Sequence, residues 1–410
     1  MPFTPTPTFA RENTLQPLEW QSRMREWFRF MRDTEPVSYS EATSCWRLYR
    51  YDDVARFLND YTTFSSEVRT DGNIADASII SMDPPRHRQM RSLVTLAFTP
   101  RTIAQMAPRI TEITHDLLTI PLQRGEMDVV SDFASPLPIK VIAAMLGLPL
   151  DDWPILRDWT ASFLVDLGPT PAPATLQAMQ QRWMQVFSEM HAYFGQMIEE
   201  RRREPREDLI SLLIAAEVDG QRLSDAELFS FCQTLLVAGN VTTTQFLGNV
   251  FLCFDQHPDA WQQLLQNRSL VPNAVEEVLR YMPPDKGLAE NAPLTVGRTA
   301  TVDVMLGGQL IRKGEKVNGS ALSANWDERQ FPDPERFDVQ RTPNRHLTFG
   351  HGIHFCLGAP LARLETKIAL EIMLEIMPRW SIRPGTQFDL IASPHFFGVE
   401  YLPVVIENGG

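Results

Sequence analysis

The chain has 410 residues, 43% of them hydrophobic, and a net charge of −13. That apolar content can bury a large core, and the acidic balance excludes nucleic acid as a partner. The four cysteines, Cys45, Cys232, Cys253 and Cys356, lack paired spacing, which excludes a disulfide framework and fits a reducing cytoplasm.

Residues 1–15 are rich in Pro and Thr and read as a loose arm. With no apolar core and no basic lead, the first eight residues are neither a signal peptide nor an anchor. No run of 18 apolar residues follows, so the chain is expected to be soluble, with no membrane segment. No Gly-rich phosphate loop follows a strand, so no flavin or nicotinamide domain is expected. A helix is predicted over 16–34. Residues 46–51 alternate like a strand, and Asp52 is placed to cap a short helix over 54–58. Residues 67–81 have no clear period.

In Asp83-Pro-Pro-Arg-His87-Arg-Gln-Met-Arg91, the prolines form a rigid helix lead-in. His87 and Arg91 are four apart and share one helix face, which suits a carboxylate partner or simply a solvated basic surface. Helical segments continue to about Leu167. The Pro-rich stretch 168–174 then breaks the pattern before a long helix over 175–203.

Ser224-Asp-Ala-Glu227 is a capping box. The helix it opens runs to Gln256, ahead of His257-Pro258, and spans about 48 Å at 1.5 Å per residue. Leu235, Leu236, Val237 and Ala238 make it apolar almost all round, hence buried. Within Ala238-Gly-Asn-Val-Thr-Thr-Thr244, Gly239 weakens the helix, and the threonine hydroxyls can bond back to carbonyls and bend it. Glu277 and Arg280 can pair at i, i+3. The 16 residues between Tyr281 and Arg298 follow no regular pattern. Residues 306–314 read as a hairpin with a turn, and 393–398 as a turn presenting two aromatics.

The most informative stretch is Phe349-Gly-His-Gly-Ile-His-Phe-Cys356-Leu-Gly-Ala-Pro. Gly350 and Gly352 permit a tight turn or close approach to a flat surface. Cys356 lies ahead of a helix expected over 357–377, where free N–H groups and the helix dipole favour thiolate. Gly358 and Ala359 keep the first turn thin. A thiolate so placed can hold one iron axially. A small buried cysteine, or a His351/His354/Cys356 metal cluster, are the plainer readings.

The pattern Phe-Gly-x-Gly-x-His-x-Cys-x-Gly resembles the haem-binding loop of the cytochrome P450 family, and the likeness extends over nearly the whole chain. It implies one mainly α domain over 1–410, with small β-sheets, folded as a triangular helical prism around a buried b-type haem. Cys356 is the implied iron ligand, with Phe349, Gly350 and Gly358 around it. His87, Arg91, Arg298 and His354 are implied to hold the haem propionates. Ala238 and Gly239 would leave room for O2 and substrate, and the implied catalytic set is Thr242 with Asn240 and Thr243. The family's oxygen-binding helix carries an acid before the first threonine, and Val241 stands there instead. Glu277, Arg280 and Arg336 would lock the fold. The segments 67–81, 160–176, 282–297 and 393–398 would border the substrate.

By the same resemblance, the chain is a monomeric cytoplasmic bacterial monooxygenase of hydrophobic small molecules. Electrons would come from a ferredoxin and its reductase, docking near Arg88, Arg101, Arg345 and Arg363. Ala-Gly-Asn before a non-acid also resembles P450 nitric oxide reductases, fed directly by NADH. A haem-based sensor without turnover is the third reading.

Overall fold

A computed structural model describes residues 15–67, 78–164, 172–287, 297–393 and 395–407. The expected arm up to residue 14, most of the 67–81 loop, the first four residues of the 168–174 break, most of the 282–297 stretch and residue 394 of the 393–398 turn lie outside those residues.

The helices follow in order as α1 (Pro17–Thr34), α2 (Tyr51–Asn59), α3 (Arg86–Ala97), α4 (Pro100–Gln105), α5 (Ala107–Arg124), α6 (Pro136–Leu146) and α7 (Trp153–Ala161). After these come α8 (Pro173–Arg203), α9 (Leu209–Ala215), α10 (Asp225–Gln256), α11 (Pro258–Gln266), α12 (Val271–Tyr281), α13 (Ala321–Asn325) and α14 (Ala359–Ile376). Helix α10 is the axis of the molecule: α6, α7, α8, α9, α11, α12 and α14 all pack on it. Both halves of its capping box form, Ser224 taking the Glu227 N–H and Glu227 taking the Ser224 N–H. Two segments, Val129–Leu146 and α10, are long and apolar enough to cross a membrane, but most of each is buried inside the protein, as in the core helices of globular folds.

The strands are β1 (Val37–Ser40), β2 (Cys45–Leu48), β3 (Phe64–Ser65), β4 (Glu126–Asp128), β5 (Arg298–Ala300), β6 (Val304–Leu306), β7 (Gln309–Ile311), β8 (Lys316–Gly319), β9 (Trp380–Ile382) and β10 (Pro403–Ile406). They form a five-stranded sheet in the order β1-β2-β8-β5-β3, a three-stranded sheet β4-β10-β9 and the hairpin β6-β7. Gly307 and Gly308 make the hairpin turn with φ of 52° and 80°, the left-handed region that a tight turn between strands requires. The strand expected over 46–51 is shorter, because Tyr51 already begins α2. Arg50, not Asp52, is the N-cap of α2, and Asp52 and Asp53 sit in its first turn, where the helix dipole favours them.

The ion pair expected from Glu277 and Arg280 forms, and both residues are fully buried. Arg280 donates to Glu277 at 2.7 and 2.9 Å and to the carbonyls of Asn325, Pro334 and Arg336. The third side chain differs from the expectation. The Arg336 side chain is 70% exposed and faces Asp338. Arg341 takes its place, its Nε 3.2 Å from Glu277, with Asn344 and the Asp338 N–H as further donors. A buried carboxylate has several lone pairs to satisfy, and this chain fills them from 338–344 rather than from 336.

Candidate active site

The loop before α14 turns as its glycines predict. Gly350 and Gly352 have φ of 72° and 71°. The Gly350 N–H donates to Leu347 O at 2.8 Å and the Cys356 N–H to Phe349 O at 2.9 Å, closing a tight hairpin-like loop. A Cβ on Gly352 would stand 2.9 Å from the Asn59 backbone, so only glycine fits against the end of α2. Helix α14 begins at Ala359 rather than at Leu357, with Gly358 as its N-cap.

Cys356 differs from the other cysteines. Cys45, Cys232 and Cys253 are buried, and burial drives Cys45 up to about 11 and Cys232 up to about 12. Cys356 alone is exposed. It is nevertheless crowded by protein on its other sides, which raises its thiol, while the Gly358 and Ala359 N–H groups, Arg91 and Arg363 pull it down. Cys356 is thus reachable from solvent and yet closely surrounded by protein. Gly358 lies alongside, its missing Cβ 3.9 Å from the sulfur.

Beside the loop, His87 on α3 and His354 stack with ring centroids 4.4 Å apart. The Nε2 atoms of both histidines and Nε of Arg298 are buried without a hydrogen-bond partner. The rest of the Arg298 guanidinium is fixed by donation to Phe57 O at 2.7 Å and Leu58 O at 3.0 Å. Burial pushes His354 down to about 3, with His87, Arg298 and Arg91 acting in the same direction. Arg91 donates one N–H to Phe355 O at 2.9 Å. Buried donors left open cost free energy unless a ligand meets them. Three such nitrogens, flanked by two guanidinium groups, suit anionic carboxylates. A haem with two propionates fits these donors, and Cys356 fits its iron. The plainer metal-cluster reading finds no support, since among the described residues no group of His, Cys, Asp or Glu is arranged to hold a metal ion.

In the middle of α10 the positions that are not buried are Thr234, Ala238, Gly239 and Thr242, of which Thr234, Ala238 and Thr242 are spaced four apart on one face. The Thr242 hydroxyl donates to Ala238 O at 2.6 Å. Asn240 and Thr243 lie off this face and are buried. The Asn240 amide donates to Thr160 Oγ1 on α7 at 2.8 Å and accepts from Thr244 at 3.3 Å. Val241 is 2% exposed within the core. Gly239 lets Ile142 of α6 pack closely on another side, where a Cβ would stand only 3.1 Å from it.

Phe349 carries the Arg363 guanidinium 4.6 Å above its ring. Arg363 and His346 also grip Glu276, at 2.6, 2.7 and 3.1 Å. Burial alone would raise the Glu276 carboxyl, but these donors hold it at about 2. Sequence reasoning missed this bracket, as it missed Thr160 and Arg341. Each partner lies far along the chain, and no local pattern marks it.

A reachable cysteine on a glycine-turned loop, with open buried donors beside it, fits the class of haem-thiolate proteins. The family description "Cytochrome P450" matches residues 158–399. Cyclomarin C epoxidase CymV of Salinispora arenicola is 39% identical over 393 residues, covering 94% of this chain and 96% of that protein. The mycinamicin IV hydroxylase/epoxidase of Micromonospora griseorubida is 40% identical, covering 92% and 94%. The crystal structure of CYP109E1 from Bacillus megaterium in complex with testosterone superimposes with a TM-score of 0.83 at 36% identity, covering 93% of this chain and 99% of that one. The chain belongs to the cytochrome P450 family. It is a bacterial-type haem monooxygenase, an oxidoreductase whose haem iron is bound by cysteine and which takes O2, a small molecule and electrons from external partners.

Proposed function

We propose that this P450 inserts one oxygen atom from O2 into a hydrophobic small molecule of the natural-product class, with a ferredoxin and its reductase as the electron source. The relatives named as an epoxidase and a hydroxylase/epoxidase, and the steroid bound by CYP109E1, support the substrate class. In this reading residues 1–410 act as one domain, monomeric and cytoplasmic.

The observation that carries the assignment of residues is the reachable Cys356 beside the three open nitrogens of His87, His354 and Arg298. Cys356 is the iron ligand. His87, His354, Arg298 and Arg91 hold the propionates through charge-assisted hydrogen bonds. Phe349 shields the sulfur, and Gly350 and Gly358 let the loop lie flat. When bound, the haem supplies O2 activation and C–H or double-bond oxidation.

The protein's part is to orient substrate and control protons. Thr242 already spends its hydrogen on Ala238 O, so its free lone pairs accept a hydrogen bond from whatever stands above the open face. That makes it the residue that holds a proton donor, such as water, in place. Ala238 and Gly239 keep that stretch of α10 thin. Asn240 and Thr243 support the helix from behind, Asn240 by tying α10 to α7. For partner docking, Arg88, Arg101 and Arg345 are exposed, whereas Arg363 is engaged with Glu276 and is a weaker candidate.

The test is the reduced CO spectrum of the haem-loaded protein. A band in the position typical of thiolate ligation is expected, and Cys356→Ser is expected to abolish it; a thiolate band in that variant overturns the assignment. Consumption of NO with NADH alone, without ferredoxin, would replace the monooxygenase reading with the reductase one.

A further inference from the structure

Residues 284–286 and 395–397 run side by side as a short antiparallel bridge. The Lys286 N–H donates to His395 O and the Phe397 N–H to Pro284 O, both at 2.7 Å. These bonds bracket Asp285 and Phe396, which are therefore directly opposed in the pairing type whose side chains come closest and share one face.

The other face is filled. Phe397 stacks on Trp20 of α1 at 4.7 Å, and the Lys286 ammonium lies 6.0 Å from the same indole and donates to Ser393 O at 2.8 Å. Side chains alternate across an extended strand, so Asp285 and Phe396 share the face opposite Phe397 and Lys286, where Phe396 rests in part against the apolar core. Both keep partial exposure. Asp285 is at the same time so enclosed that burial raises its carboxyl to about 6, against a single opposing hydrogen bond from the Gly287 N–H at 3.0 Å. Deep enclosure with partial solvent access is the combination also found at Cys356. The bridge also abuts α10 just beyond Thr242. Asn249 donates to Met282 O at 3.1 Å and reaches Phe397 O at 3.4 Å, and a Cβ on Gly398 would strike Gln245 Oε1.

We propose that Asp285 and Phe396 together form a subsite for an alkylammonium group, so that the favoured substrates are hydrophobic molecules bearing a basic aliphatic amine. This rests on the reading of 282–297 and 393–398 as segments that border the substrate. A carboxylate in a poorly hydrated wall, with an aromatic ring directly opposite, matches a cation clothed in alkyl groups: the carboxylate supplies charge and the ring face supplies cation–π attraction. The carboxylate has one oxygen engaged by Gly287 and gains from a cationic partner what it loses in hydration.

The test uses the haem-loaded enzyme with decyltrimethylammonium, which cannot ligate iron, and decanol as its neutral counterpart. Binding is followed by calorimetry and by the haem absorption shift. The parent is expected to bind the ammonium compound at least about tenfold more tightly. Asp285→Asn and Asp285→Ser, which can both still accept from Gly287, are expected to erase that preference while leaving decanol affinity within about twofold. Phe396→Leu should reduce the preference by a smaller factor. A parent without preference, or an undiminished preference in both Asp285 variants, overturns the subsite. The reduced CO band, recorded on the same samples, shows separately whether the haem-thiolate assignment stands.

Discussion

His87 and His354 lie face to tilted face, 4.4 Å between ring centres, and both leave Nε2 buried and unanswered. In the proposed function the haem propionates answer these nitrogens together with the open Nε of Arg298, so haem retention is expected to depend on this trio. Transfer of haem to a scavenging globin is expected to be faster in His354→Ala, and faster still in Arg298→Ala, which loses a charge and a partner worth roughly 1–3 kcal/mol. Arg91→Ala should have the smaller effect of the two arginines, since Arg91 is only partly buried. Parent-like haem transfer in both His354→Ala and Arg298→Ala would refute the propionate assignment.

Thr242 is the one hydroxyl of the Thr242–Thr244 cluster on the open face of α10. Thr242→Ala is expected to keep NAD(P)H consumption while lowering product formed per NAD(P)H and raising hydrogen peroxide. Thr243→Ala, changed on the buried side, should leave that ratio near the parent's. Val241→Glu places a carboxyl in a site only 2% exposed and should cost about 2–4 kcal/mol of stability, read as a lower Tm. A product yield unchanged in Thr242→Ala would remove this residue from proton handling.

The substitution of Arg341 for Arg336 around Glu277 is open to a direct comparison. Arg341→Ala withdraws a partner from a fully buried carboxylate and should cost about 1–3 kcal/mol. Arg336→Ala removes an exposed side chain and should change stability by about 0.5 kcal/mol or less. Glu277→Gln, which leaves Arg280 charged and buried, should be the most damaging, about 3–5 kcal/mol. Denaturant midpoints of the three variants give the order.

Glu365 on α14 is buried, with Oε2 unpartnered, and burial lifts its carboxyl from 4.5 to about 8. The folded state thus holds a proton that the unfolded state releases above pH 4.5. Stability from this group is full below that pH and declines as pH rises toward 8. Glu365→Gln should flatten the dependence of Tm on pH in this window and stabilise the protein at pH 8 by on the order of 3 kcal/mol. An unchanged slope in the variant would show that Glu365 is ionised in the fold.

What the sequence made legible was local. The capping box at Ser224 and Glu227, the left-handed glycines at 350 and 352, and the apolar girdle of α10 follow from residues within a few positions of one another. The turn of the loop before Cys356 was also legible, because the loop carries its own signature. What stayed hidden joins distant segments: Arg341 on Glu277, Arg363 between Glu276 and Phe349, and Asn240 reaching back to Thr160. Asn240 shows the reason most clearly. Its place beside the threonines suggests one face, but the 100° step of the helix turns its amide to α7. A polar residue in an apolar helix announces that it needs a partner without saying on which side that partner stands.

The bridge between 284–286 and 395–397 has a bearing on how the enzyme's appetite can change over generations. Two strips of wall separated by more than a hundred positions are stitched to each other and to Asn249, and Gly398 leaves no room for a side chain against Gln245. A lone replacement on either strip meets a neighbour that has not moved. New specificities in this lineage are expected to come from paired exchanges, one on each strip, so that a library varying both together should yield altered ligand preference more often than one varying either by itself.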